Sequence, residues 1–308
     1  MTIRVGYFPS NNSLWVLRHR DIVERTLPDV EWVDLRALPQ GERPRVTDGL
    51  PTVHGDRLAD GSYDVIGTGA TPPITAQGQG HDIVYIATSG PRHENGRLVV
   101  LEDSPVAELS DLRGKRIGIG HGSWQTTLLL LALERAGLTW RDVDAVDLAG
   151  TDGAERFLAG ELDAWVGAYP ALSGVEELAR TRDLVATDGL FSHRSLWFTR
   201  REVAEGRQAE LAAVVAALQE SDAWVRANPR EAAKLFVDDP GGDLAAWEHA
   251  LRTRPFGLLP VTQEFVAEQQ RAADLLYANG LLPRSVTVAD AVLPAVGEIV
   301  RASTPVAA

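Results

Sequence analysis

Apolar and polar positions follow two regimes along this chain. Up to about residue 198, short β-rich apolar runs are interleaved with segments of helical period, which predicts strands at 3–8, 30–35, 65–68, 83–88, 98–101, 116–119, 145–148 and 164–168. The intervening segments predict helices at 14–26, 72–78, 124–136, 154–159 and 172–179, with Gly137 as a stop after a strong run. Beyond Phe198 the pattern is almost wholly helical, at 208–227, 229–236, 244–251, 262–279 and 288–301, punctuated by Asn228-Pro229, Asp239 to Gly242, and Gly280. Alternating strands and helices predict mostly parallel sheets with crossover helices. Two such stretches followed by a helical tail predict an α/β chain of two lobes, each a mixed, mostly parallel sheet with flanking helices. The chain is expected to leave the first lobe near Thr88 and return near Ser195, so that 1–90 and 195–308 form one lobe, 91–194 the other, with a ligand cleft between them.

Composition narrows the function. A chain of 308 residues with 44% hydrophobic content has enough material for two cores. Lys and Arg number 30 against 43 Asp and Glu, a formal charge of −13, and basic clusters are no longer than pairs such as Arg200-Arg201, so no nucleic-acid partner is expected. The absence of cysteine excludes disulfides, thiolate zinc sites and a cysteine nucleophile. The longest apolar run, 211–218, is far short of a membrane span, so no membrane insertion is expected. The first residues enter a strand at once and lack an export-signal pattern. As written, the chain is expected in the cytoplasm, or outside it if a leader has been removed.

Candidate chemistry clusters in the segments that follow strands, where open α/β sheets bind their ligands. These are Pro9 to Ser13, Gly67 to Pro73, Gly120 to Trp124 and Trp165 to Pro170. Three of them offer hydroxyls or free amides at a helix start, which suits an anion. Each has a plainer alternative: Ser13, Thr71 and Ser123 as N-caps, Trp165 and Tyr169 as core aromatics. The glycine spacing at 118–122 matches neither a phosphate loop nor a dinucleotide fingerprint. No cofactor and no metal are expected.

Residues 68–80 (TGATPPITAQGQG), 103–123 (DSPVAELSDLRGKRIGIGHGS) and 160–166 (GELDAWV) resemble the aliphatic-sulfonate, taurine and nitrate solute-binding proteins of ABC importers. The resemblance runs through the chain in order, and Gly114-Lys115 at a strand entry is its most specific point. It implies the two-lobed periplasmic-binding-protein-like fold of type II, a small sulfonate-like organic anion as ligand, and an ABC permease as partner. Carried onto this sequence, the ligand contacts fall on Asn11, Asn12, Ser13, Thr68, Thr71, Ser123, Trp124, Trp165 and Tyr169. His193 and Arg194, in the expected return crossing, read either as donors that bring a cation to the anion or as a solvated turn.

A second resemblance points to a lyase. The aromatic-sulfinate desulfinases of the same fold are similar in the first loop, at Val53-His54, in the Pro72-Pro73 turn and at Ser195-Leu196-Trp197. Their nucleophile is a cysteine in the first loop, where this chain has Ser10, Asn11, Asn12 and Ser13. If the chain is an enzyme, His54, His193 and Arg57 are the residues expected to carry acid–base and anion-holding roles. The segment 39–62 breaks the importer pattern with prolines and glycines and gathers Arg43, Arg45, His54 and Arg57. It reads either as a flap over the cleft or as a solvated surface loop.

Overall fold

A computed structural model describes residues 2–37, 50, 53–92, 96–148 and 150–303. Its strands are β1 (Arg4–Tyr7), β2 (Glu31–Asp34), β3 (Val65–Thr68), β4 (Ile83–Thr88), β5 (Gly96–Leu101), β6 (Arg116–Ile119), β7 (Asp144–Asp147), β8 (Ala164–Ala168), β9 (Thr181–Ala186) and β10 (Leu196–Arg200). The α-helices are α1 (Asn12–Arg18), α2 (Val53–Ala59), α3 (Thr71–Gln79), α4 (Trp124–Arg135), α5 (Gly150–Leu158), α6 (Ala171–Leu178), α7 (Arg201–Gly206), α8 (Gln208–Ala227), α9 (Pro229–Asp238), α10 (Leu244–Arg252), α11 (Gln263–Ala278) and α12 (Pro294–Ser303).

Two five-stranded sheets form, in the orders β2-β1-β3-β10-β4 and β7-β6-β8-β5-β9. The two orders are the same plan. Each has a parallel core, β1 with β2 and β3, β6 with β7 and β8, and each admits one antiparallel strand, β10 or β5, that has just crossed from the other sheet. The crossings run from Thr88 to Gly96 and from Ala186 to Leu196. All six residues of β4 are buried, as expected for a strand covered by helices on both faces.

The helical tail does not stand apart. Helix α8 packs on α1 and α12, α12 also on β4, and α11 on α3 and α4. One apolar core therefore continues from Ile66, Tyr85 and Phe198 under the first sheet to Ile117, Leu130 and Val166 under the second. A further core joins Trp15 and Val16 to Trp165, Tyr169, Phe236 and Trp247, so α9 and α10 bridge the two sheets at the side of the cleft.

Several local expectations are corrected. The helix expected at 14–26 ends at Arg18; Asp21 at φ +48 turns the chain, and a short 3-10 turn, Val23–Arg25, follows. The helix expected at 288–301 is split into a 3-10 turn and α12, because Pro294 disfavours helical backbone at Leu293 and is itself suited to a helix start. Strands β9 and β10 were not anticipated. β9 is an edge strand whose Arg182 and Asp183 break the apolar run, a usual device for protecting an edge. The 39–62 segment contains α2, where Gly55 acts as a close-packing residue: a Cβ there would sit 2.7 Å from that of Ala76 on α3. Arg43 and Arg45 lie outside the described residues, and so does most of the expected flap.

Candidate functional site

A cavity of about 910 Å³ opens between the carboxyl ends of the two sheets. Its walls come from the loop after β1 (Phe8 to Asn12), Thr68 and Gly69 after β3, Ser123 to Gln125 at the start of α4, and Tyr169 with Pro170 after β8. Both crossings contribute, through Arg92 on one and His193 and Ser195 on the other. Arg254, after α10, and Trp247 complete that side.

Small residues create the shape. At Gly67 a Cβ would lie 2.2 Å from Asn11 Nδ2, so this position must be bare for the Asn11 side chain to fold over β3. Asn11 is the N-cap of α1, its Oδ1 accepting from the Leu14 amide at 3.0 Å, while the Asn12 side-chain Nδ2 donates to Pro9 O at 2.7 Å. Gly69 and Gly96 flank the Trp124 indole, whose ring lies tilted by 31° against His193 with centroids 3.9 Å apart. His54 stacks on Phe8 at 5.2 Å. Tyr169 meets His249 of α10 edge to face at 4.7 Å, and its hydroxyl donates to Glu176 at 3.1 Å.

The electrostatics are those of an anion site. Arg92 donates to Ser195 Oγ and Arg254 reaches Ser10 O at 3.5 Å, yet the Nε of each is buried without a partner among the described residues. No carboxylate of the described residues pairs with either. Burial lowers the Arg92 guanidinium to about 10, and burial together with Arg92 lowers Arg254 well below the arginine range. His193 is fully enclosed, neither ring nitrogen having a hydrogen-bond partner among the described residues, and burial, then Arg92 and Arg254, push its pKa far down. Its backbone is held at φ +41, a conformation that non-glycine residues adopt at a cost and that recurs at ligand clamps. Burial alone brings His54 to about 4. Cationic donors with no carboxylate opposite them among the described residues, beside histidines whose pKa is lowered, will gain free energy from an incoming anion.

The residues expected at the site divide into two groups. Asn11, Asn12, Thr68, Ser123, Trp124, Tyr169, His193 and His54 all line the cavity. Ser123 is also the N-cap of α4, accepting from the Gln125 amide at 3.1 Å and donating to Gly120 O at 2.7 Å. The remainder do not line it. Trp165 is fully buried behind the sheet over Gly118, Gly153 and Phe157, because it shares a strand face with Gly167 that turns toward α5. Thr71 is the first residue of α3, and its Oγ1 joins the sheets by bonding Ser123 O at 2.6 Å and Thr127 Oγ1 at 2.8 Å. Ser13 lies inside α1, below the loop. Arg194 is spent within the crossings, on Ser89 O at 2.8 Å and Ser192 Oγ at 3.0 Å. Arg57 sits on α2 beside Asp60 at 3.4 Å. Arg92 and Arg254 were missed; the signal the sequence offered was that each stands beside a proline outside the predicted elements.

Among the described residues no group of three or more His, Cys, Asp or Glu is placed to hold a metal ion, and no helix is long and apolar enough to cross a membrane. Two sheets of one plan, joined by two crossings beside the cleft, define a two-lobed α/β protein of the periplasmic-binding type. The chain belongs to the NMT1/THI5-like family, whose model, described as NMT1/THI5 like, matches residues 55–232. A relative in Escherichia coli strain K12, named as an aliphatic sulfonates-binding protein, is 30% identical over 289 residues, 93% of this chain and 86% of its own. The alkanesulfonate-binding protein SsuA from Xanthomonas axonopodis pv. citri, solved bound to MOPS, superposes with TM-score 0.80 at 28% identity over 95% of this chain and 98% of its own. The periplasmic aliphatic sulphonate binding protein SsuA from Escherichia coli gives 0.81 at 29% identity over 95% and 92%. The desulfurization enzyme DSZB shares the fold alone, with TM-score 0.68 at 18% identity over 98% of each chain.

Proposed function

We propose that this protein reversibly binds a small organic sulfonate in the cleft and does no chemistry on it, serving as the solute-binding component of an ABC importer. The observation that carries this reading is the pair Arg92 and Arg254, two cavity-lining guanidiniums with no carboxylate partner among the described residues. A sulfonate keeps its charge across the physiological range and presents three weakly basic oxygens. It therefore calls for fixed donors rather than for a base, and Asn11, Asn12 and the Ser195 hydroxyl lie on the same walls. Trp124, Tyr169 and Trp247 supply surfaces for the organic part. Residues 1–90 with 195–308, and 91–194, are proposed to close as two bodies about the crossings. The relatives named for sulfonate binding support the same ligand class, and the periplasmic one supports an extracytoplasmic location and a permease partner.

The lyase reading is less well supported. It needs a nucleophile where the first loop carries serine and asparagine, and a base where His54, lowered to about 4, holds a proton weakly. Calorimetry with ethanesulfonate, taurine and benzenesulfonate, against acetate, nitrate and sulfate, tests the proposal, with sulfite assayed in the same samples. Saturable binding of at least one sulfonate, recovered unchanged, is the expected result. Tighter binding of every non-sulfonate anion, or release of sulfite, would overturn it.

A further inference from the structure

The cavity is larger than its charged part requires. Arg92, Arg254 and His193 line it beside the crossings, while an outer part is lined by α5, α6 and residues 240–247. At about 910 Å³ the whole stands near the top of the roughly 300–1,000 Å³ range that drug-sized ligands occupy. A two-carbon sulfonate held by the arginines would leave most of that space to water.

The outer part has fixed apolar walls. Ala171, Gly174, Val175 and Leu178 recur on α6 at i, i+3, i+4 and i+7, so one face of the helix turns to the cavity, and Ala154 and Leu158 do the same on α5. The two helices pack against each other. Trp247 is held by its indole N–H, which donates to Gly241 O at 2.9 Å, and by the Phe236 ring stacked on it at 4.5 Å. Asp243 caps α10 by accepting from the Ala246 amide at 2.8 Å, which secures the segment that follows the bend.

Two features of α6 bring the fold itself no gain. Leu178 is, among the described residues, the large hydrophobic most open to solvent, at 76%. Gly174 stands inside the helix, where glycine is destabilising relative to alanine, and a Cβ there would stand in open space. Apolar surface left in water beside unfilled space gains from an apolar group that enters the cavity. The charge lining the outer part is opposite to that beside the crossings. It carries Glu155, Glu177 and Asp243, and no Lys, Arg or His lines it among the described residues. A second negative charge on the ligand would be repelled there.

We propose that the outer part is the subsite for the ligand's organic tail, and that this protein takes an extended, apolar sulfonate with no second negative charge. The inference rests on the sulfonate-binding reading above and narrows its substrate class.

The test is calorimetry with the two-, four-, six- and eight-carbon 1-alkanesulfonates. Each methylene that enters the subsite should tighten binding by roughly two- to fourfold, so hexanesulfonate should bind at least about tenfold more tightly than ethanesulfonate, at one site per chain. The six-carbon chain ending in a carboxylate should bind roughly fivefold or more weakly than hexanesulfonate. Leu178→Gln, at an exposed position, should leave the ligand-free melting curve unchanged. It should weaken hexane- and octanesulfonate by roughly threefold and leave ethanesulfonate as it was. Affinity independent of chain length, or a terminal carboxylate that binds as tightly as the plain chain, overturns the inference while the function stands. So does a Leu178→Gln variant that weakens all lengths alike or none. A wild-type protein that takes up no sulfonate of any length removes the function and this inference with it.

Discussion

Replacing Arg254 with methionine keeps most of the side-chain length and removes only the donor fork, which makes it a direct probe of the cleft's electrostatics. In the ligand-free protein the guanidinium is poorly served, with a contact at 3.5 Å to Ser10 O, a buried Nε without a partner among the described residues, and burial, then Arg92, pressing its pKa down. Loss of the charge should therefore leave ligand-free stability unchanged or slightly raised. With a sulfonate bound, the same group makes charge-assisted hydrogen bonds worth about 1.5–3 kcal/mol, so Arg254→Met should raise Kd by roughly 10- to 150-fold. The effect is also visible by melting. At a ligand concentration of about 100 times the wild-type Kd, binding stabilises by about 2.7 kcal/mol, and a 100-fold weaker variant at that concentration retains only about 0.4 kcal/mol. Calorimetry and ligand-dependent melting should thus agree. Unaltered affinity would remove Arg254 from the site, and a large fall in the ligand-free melting temperature would show that its role is structural.

Two further outcomes follow from single positions. Gly67→Ala would place a Cβ 2.2 Å from Asn11 Nδ2 and 2.8 Å from Trp197 Nε1, so Asn11 should be displaced, with a stability loss of roughly 1–3 kcal/mol by chemical denaturation and weakened sulfonate binding by calorimetry. For Asp222, burial raises the carboxyl to about 7 from an ordinary 3.8, so between those values the folded state holds more protons than the unfolded one and stability falls as pH rises, by on the order of 4 kcal/mol in all. Urea titrations from pH 4 to 8 should show this decline flattened in Asp222→Asn, and equal slopes for the two proteins would refute the assignment.

The two-lobed α/β plan could be read from the chain alone, because strand and helix periods are local properties and the switch to a helical tail near residue 198 is a property of composition. Loops after strands were equally legible as the place for a ligand, and Asn11, Asn12, Thr68, Ser123, Trp124, Tyr169 and His193 do meet there. What stayed hidden depends on direction and on distance along the chain. Trp165 and Tyr169 look alike in sequence, yet Trp165 lies within β8 and is buried behind the sheet, whereas Tyr169 lies just past the end of the strand, beside the cavity. Thr71 and Ser123 both resemble caps, but only Ser123 is one, since Thr71 is drawn across to bond α4. Arg92 and Arg254 are separated by most of the molecule and sit in segments with no period to read. Only the packing of α8 against residues 256–258 and the closeness of the two crossings bring their charges together with His193, and no local pattern encodes a juxtaposition that the tertiary fold makes.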